Sequence, residues 1–261
     1  MKKVFVMIAV ATLLMPATSK AQTEFSVGAD LVSSYVWRGS VGAGASFQPS
    51  VGLTAGGFSI GFWGSTDIAS LGLKEVDLSL GYSVGGLSIG LTDYWWNGEG
   101  SFEEIDTDGD GTPDAVESTG FDYFQLFKED ANSHLLELNL GYSFEFGLSL
   151  SLNTMLAGAQ DKYVDDNGEL KRSFTTYFEL GYDFSIGDVS LTAALGLSPW
   201  NKTGLYTGGY PYATDGLAVT NIALTASKEI AITDKFSLPV FGQIGFNPAK
   251  EDVFLVFGIS F

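Results

Sequence analysis

The chain has 261 residues, 45% of them hydrophobic, with 33 Gly, 20 Phe, 11 Tyr and no Cys. That hydrophobic share excludes a disordered chain, the lack of Cys excludes disulfides and thiol chemistry, and a net charge of −18 excludes nucleic acid as a partner. Cations are the electrostatic partners that such a chain attracts.

Residues 1–21 read as a secretory leader. Lys2 and Lys3 form a basic start, Val4–Met15 is an apolar run too short to cross a bilayer as a helix, and Ser19-Lys20-Ala21 has the small residues of a cleavage site. Losing Lys2, Lys3 and Lys20 with the leader takes the net charge from −18 to −21. No later stretch reaches the length of a transmembrane helix.

From residue 22 onward the chain alternates. In 25–38, Phe25, Val27, Ala29, Leu31, Tyr35 and Trp37 share one phase, with Ser33 its only polar member, and Ser26, Gly28, Asp30, Ser34 and Arg38 the other. In 46–55, Phe47, Pro49, Val51, Leu53 and Ala55 oppose Ser46, Gln48, Ser50, Gly52 and Thr54. Period two means strands. The same pattern predicts strands near 58–68, 74–84, 87–97, 134–144, 148–159, 173–185, 189–198, 218–230, 236–247 and 253–261, twelve in all. Their length, about ten residues, is what a tilted strand needs to span a membrane. Tight turns at Gly56-Gly57, Gly85-Gly86, 145–147, 186–188 and 231–235 alternate with connections at 39–45, 69–73, 98–133, 160–172, 199–217 and 248–252, several of them long. Three hairpins echo one another around Gly81, Gly141 and Gly181.

Alternation alone leaves open which face is wet, and a soluble β-protein would bury the apolar one. Three features favour lipid outside. The polar phase is Gly, Ser, Thr and Asn with few Lys, unlike a soluble surface. Aromatics gather at the ends of the apolar face, Tyr35 and Trp37 at one end and Tyr82, Tyr142, Phe144, Tyr182 and Phe184 at the other, as in interfacial girdles. The chain closes on Val253, Leu255, Phe257, Ile259 and Phe261 in one phase, similar to the assembly signal of outer-membrane barrels. The prediction is an all-β fold, a 12-stranded antiparallel up-and-down transmembrane β-barrel over 22–261, in the outer membrane of a Gram-negative cell. Its apolar face would meet membrane lipid and lipopolysaccharide.

Three stretches carry a family resemblance. "LVSSYVWRGS" (31–40) resembles the S-D-Y-x-F-R-G strand that opens the TorF-like outer-membrane porins, with Ser34 for the Asp and Trp37 for the Phe. "GFSIGFWGSTD" (57–67) and "KEVDLSLGY" (74–82) are similar to that family's next segments. The resemblance covers residues 31–82 and implies a porin barrel of about a dozen strands.

With lipid outside, the lumen is lined by Asp30, Asp67, Asp77, Glu137, Glu179, Asp183 and Glu229, opposed by Arg38. Trp63, Tyr94, Trp96, Tyr177, Phe241 and Phe254 share that phase. Carboxylates in a narrow aqueous lumen concentrate cations, so the expectation is passive diffusion of small hydrophilic solutes with a preference for cations. The competing expectation is a barrel plugged by its own side chains that acts through its external loops, including Tyr206, Tyr210 and Tyr212. Asp93 falls in the outward phase beside Trp95, which predicts a bulge in 87–97. With His134 the only His, beside Ser133, the expectation is no enzyme.

Loop 98–133 contains "DTDGDGTPDAVE", 106–117. Asp106, Asp108, Asp110, Thr112, Asp114 and Glu117 occupy ligand positions 1, 3, 5, 7, 9 and 12 of a calcium loop, with Gly111 at the sharp turn. Strands rather than helices bracket it, and it resembles the DxDGDGxxD repeats of extracellular bacterial proteins. The expectation is a Ca²⁺ site that orders an external loop; the alternative is a solvated acidic loop.

Overall fold

The computed structural model describes residues 23–68, 74–97, 101–111, 114–120, 123, 134–158, 161–201 and 216–261. The leader, Thr112, Ser133 and the tyrosines at 206, 210 and 212 lie outside the described residues, as does the side chain of Glu117.

Among the described residues, eighteen strands form in chain order: β1 (Thr23–Val32), β2 (Tyr35–Trp37), β3 (Ser40–Ala43), β4 (Ser46–Ala55), β5 (Phe58–Asp67), β6 (Lys74–Val84), β7 (Leu87–Asn97), β8 (Ser101–Ile105), β9 (Ala115–Gly120), β10 (His134–Ser143), β11 (Leu148–Ala157), β12 (Lys162–Val164), β13 (Leu170–Arg172), β14 (Thr176–Ile186), β15 (Val189–Asn201), β16 (Gly216–Thr233), β17 (Phe236–Asn247) and β18 (Asp252–Ser260). Twelve of them close a barrel in the order β1-β18-β17-β16-β15-β14-β11-β10-β7-β6-β5-β4, each antiparallel to its neighbours. The other six make three separate hairpins, β2-β3, β8-β9 and β12-β13, all on the end opposite the tight turns.

Side-chain exposure assigns the faces. On β4, Phe47, Val51 and Leu53 are 40–43% exposed while Ser46 and Gln48 are buried. On β18, Val253, Leu255 and Phe257 point out at 55–60% exposure, and Phe254 and Val256 point in. A water-soluble barrel would reverse this. The outward apolar band ends in Phe58, Tyr82, Tyr142, Phe144 and Tyr182 near the tight turns, with Phe58 on Tyr82 (4.6 Å) and Tyr142 on Phe144 (4.7 Å). A closed barrel with this belt is the architecture of bacterial outer-membrane proteins, since closure leaves no unpaired edge in lipid.

Two expectations are corrected. The strand read over 25–38 ends at Val32: the Ser33 N–H donates to the Phe257 carbonyl (2.8 Å), the Phe257 N–H donates to Ser33 Oγ (2.9 Å), and the chain then turns inward. Tyr35 and Trp37 are therefore not girdle residues; Tyr35 is buried against Trp63, and the half-buried Trp37 packs on Tyr94. The bulge expected in 87–97 is absent, because β7 keeps unbroken register with both β6 and β10. The register shifts instead on the β10–β11 ladder, between Leu136 and Glu137.

Candidate functional site

The β2-β3 hairpin crosses the lumen. Its two-residue turn is Arg38-Gly39, with φ of +50° and +84°. Positive φ at both central residues is the type I′ geometry that suits the twist of a hairpin. Gly39 is required on a second count, because a Cβ there would run into the Thr220 carbonyl of β16. β16 makes room with a bulge at this point, where Gly196 pairs with Asn221 and Leu197 with Val219. The Asn247 side-chain amide fixes the turn from β17, donating to the Gly39 carbonyl (3.0 Å) and Ser40 Oγ (3.2 Å).

Arg38 reaches the opposite wall. Its guanidinium makes a bidentate pair with Glu137, Nη1 to Oε1 at 2.5 Å and Nη2 to Oε2 at 2.8 Å, and lies 4.7 Å from the Trp37 ring centre and 4.8 Å from that of Tyr177. Glu137 is fully buried and also accepts from Tyr94 Oη (2.8 Å) and Asn139 Nδ2 (2.8 Å). Planar, multiply bonded and stacked, this is the environment in which Arg differs most from Lys. Apolar clusters flank the hairpin. Trp37 packs on Tyr94, Trp96, Leu135, Met155 and Tyr177, while Val36 packs on Val32, Phe241, Phe254 and Val256.

The other lumen acids fall into two groups. Glu179 joins the plugged level through Tyr177 Oη and Asn221 Nδ2 (3.3 Å). Asp67 and Asp77 are buried on β5 and β6. Asp30, half-buried on β1, and the exposed Asp183 and Glu229 sit away from the hairpin, and Asp183 accepts from Thr192 Oγ1 (2.6 Å). The inward phase of Trp63, Tyr94, Trp96, Tyr177, Phe241 and Phe254 is as expected. Sequence reasoning missed Glu75, buried on the same face of β6 as Asp77 and two residues before it; period two alone could have found it. It also missed the amide ladder in which Thr92 Oγ1 donates to Asn139, and Asn139 donates to Asn153.

Asp93 does face outward, and a partner explains it. His134 Nδ1 lies 2.9 Å from Asp93 Oδ2, and Nε2 lies 2.7 Å from the Tyr123 carbonyl. With Tyr123 also edge-on to Trp95 (5.4 Å), this point of the long loop packs on the outer wall rather than in the lumen.

The acidic motif caps the β8-β9 hairpin. Asp106 Oδ1 accepts from the Gly109 N–H (2.6 Å) and Asp110 N–H (3.2 Å), and Oδ2 from the Gly111 N–H (2.6 Å). These bonds, that from Gly111 foremost, hold the Asp106 carboxyl below its ordinary pKa. Carboxylate oxygens of Asp106, Asp108 and Asp110 lie within 4.8 Å of one another, a spacing that fits one hard cation. Asp114 is turned instead to Thr107, whose N–H it accepts at 3.0 Å.

No protein-family model matches the chain, and no curated protein matches it. Among solved structures it is similar to the NanC porin, at 8% identity over 90% of this chain and 98% of that one, with a TM-score of 0.44. It is also similar to an outer membrane channel from Pseudomonas putida F1 (15% identity, 94% and 95% covered, TM-score 0.38). A third is the CymD monoaromatic hydrocarbon channel (11% identity, 97% and 91% covered, TM-score 0.35). Likenesses this distant carry no argument about function. The fold rests on the closed strand order, and no family model supports the TorF-like resemblance of residues 31–82.

Proposed function

We propose that this chain is an outer-membrane porin through which small hydrophilic solutes diffuse passively, with a preference for cations, and that the β2-β3 hairpin narrows its lumen. The charge pattern carries this reading. Inward faces of the barrel strands bear Glu75 and the seven acids identified from sequence, and no Lys or Arg among the described residues. The hairpin adds Arg38, which Glu137 neutralises. What remains is a negative lumen, which draws cations in and repels anions. In a planar bilayer under a salt gradient, the folded protein is expected to pass current with a reversal potential of the cation-selective sign. An anion-selective sign would refute the preference.

The two apolar clusters on the hairpin favour a second reading, a closed barrel that acts through its external loops. Correctly folded protein that passes no current would decide for it.

A further inference from the structure

The lumen acids are not alike. Glu137 and Glu179 have hydrogen-bond donors from other strands, and Glu137 has a counter-charge. Glu75 and Asp77 have no counter-charge among the described residues. They occupy alternate positions on β6, so both side chains point into the barrel side by side. Glu75 is 2% exposed and Asp77 9%. Glu75 Oε1 and Oε2 and Asp77 Oδ1 are buried with no hydrogen-bond partner. The Tyr35 hydroxyl and the Trp96 indole stand close to Glu75, but a neutral donor leaves the charge in place.

The surroundings make that charge costly. Across the ladders Asp77 sits between Trp63 and Tyr94, and Glu75 between Ser65 and Trp96. Tyr35 of the plug lies on Trp63 at 5.6 Å. Rings on several sides keep bulk water off the two carboxylates and lower the local dielectric. Two like charges there repel strongly, and neither is repaid by an ion pair. The lumen's guanidinium, Arg38, is already bonded to Glu137. A charge of −2 held this way has to be neutralised from outside the chain, by protons or by a cation.

We propose that Glu75 and Asp77 form a binding site for one hard divalent cation, of which Ca²⁺ is the best fit. Two carboxylates match its charge, the Ser65 and Tyr35 hydroxyls add oxygen of the right hardness, and Ca²⁺ accepts an irregular shell that Mg²⁺ does not. The site lies beside Tyr35, so a bound cation ties the start of the hairpin to β6 as Arg38 ties its tip to β10. It is separate from the acidic motif of the β8-β9 hairpin, and it stands whether or not the barrel conducts.

Terbium, a luminescent substitute for Ca²⁺, tests the site, because Trp63 and Trp96 lie next to the acids and can sensitise it. Folded full-length protein in detergent is titrated with Tb³⁺ under tryptophan excitation and then with Ca²⁺. The wild type and the Asp108→Ala/Asp110→Ala variant are expected to give sensitised emission that Ca²⁺ displaces; Glu75→Gln/Asp77→Asn is expected to lose it. Heat-modifiable migration on gels checks folding, and the single substitutions Glu75→Gln and Asp77→Asn, each expected to weaken binding, are read if the double variant fails to fold. The proposal is overturned by emission that persists in Glu75→Gln/Asp77→Asn, by emission lost in Asp108→Ala/Asp110→Ala, or by none from the wild type, which would mean that protons neutralise the pair. Bilayer current from the same preparation is a separate readout: its absence overturns the porin reading and leaves the cation site standing.

Discussion

Arg38 on Glu137 ties the tip of the plug to the far wall. Arg38 adopts φ of +50°, a region that costs a non-glycine residue roughly 1 kcal/mol or more, so its other contacts must offset that strain. They do so through a buried bidentate pair, and the acid side of that pair is fully enclosed. Removing one partner leaves the other charge buried and alone, at a cost of about 3–5 kcal/mol. Glu137→Gln is therefore expected to lower the unfolding free energy in urea by about that much, and Arg38→Met/Glu137→Gln by less than the two single losses summed. Additive losses would show that the pair is not coupled. Asp106 supports a prediction of a different kind. Its carboxyl is held below the ordinary value by the amides of Gly111, Gly109 and Asp110. A depressed folded value contributes order to the loop above the unfolded Asp pKa, and that order is lost as pH falls through the folded one. Followed by NMR, the amide shifts of Gly109 and Gly111 are expected to change with a midpoint below the usual Asp range. A midpoint within or above that range would contradict the assignment.

Among the elements, the barrel strands were legible in the sequence and the plug was not, for one physical reason. Alternation reports that side chains sit on two faces, without saying what each face meets. Through 25–38 the alternation breaks once, at Ser33 in the apolar phase, and a single polar residue is a weak mark of where β1 leaves the wall. The Arg38-Gly39 turn carries the signal, and it is weak because Arg is an uncommon first residue of a type I′ turn. The outward Asp93 looked like a slip of phase because its partner His134 lies 41 residues away in sequence. The convergence of Asp106, Asp108 and Asp110 was legible in their spacing, because it is a local pattern, and the flanking β8-β9 pairing agrees with strands bracketing it. Element by element, two outcomes are expected. Deleting the hairpin between Ser33 and Ala45 should raise single-channel conductance and leave the barrel folded; unchanged conductance would show that the plug does not limit the path. Asp108→Ala/Asp110→Ala should abolish any Ca²⁺-dependent protease protection of loop 98–133 with the barrel intact, while a barrel that unfolds would make the motif structural.

At the scale of the whole molecule, closure and charge are linked through one seam. β1 pairs with β4 through ten registered residues, but with β18 through three: Asp30 with Ser260, Leu31 with Ile259 and Val32 with Gly258. Ala29 extends the seam by exchanging backbone bonds with Phe261, and Ser33 ends it on Phe257. The inward turn of the plug thus takes β1 away from β18 just where further pairing would have lengthened the seam. A lumen full of carboxylates repels itself across the barrel, and the seam with the fewest bonds is where that repulsion acts with least resistance. The backbone bonds of the seam can be tested one at a time, because N–H groups two residues apart on a strand point the same way. At Ala29 the N–H meets the Phe261 carbonyl; at Val27, on the same side, no seam bond forms among the described residues. Proline removes the donor at either position, and both side chains face lipid. Ala29→Pro is expected to lower the temperature at which the folded gel band converts to the unfolded one by clearly more than Val27→Pro, and raising the salt, which screens the lumen charge, should narrow the difference. Equal shifts for the two variants would mean that closure draws its strength from the outward apolar belt and not from the seam.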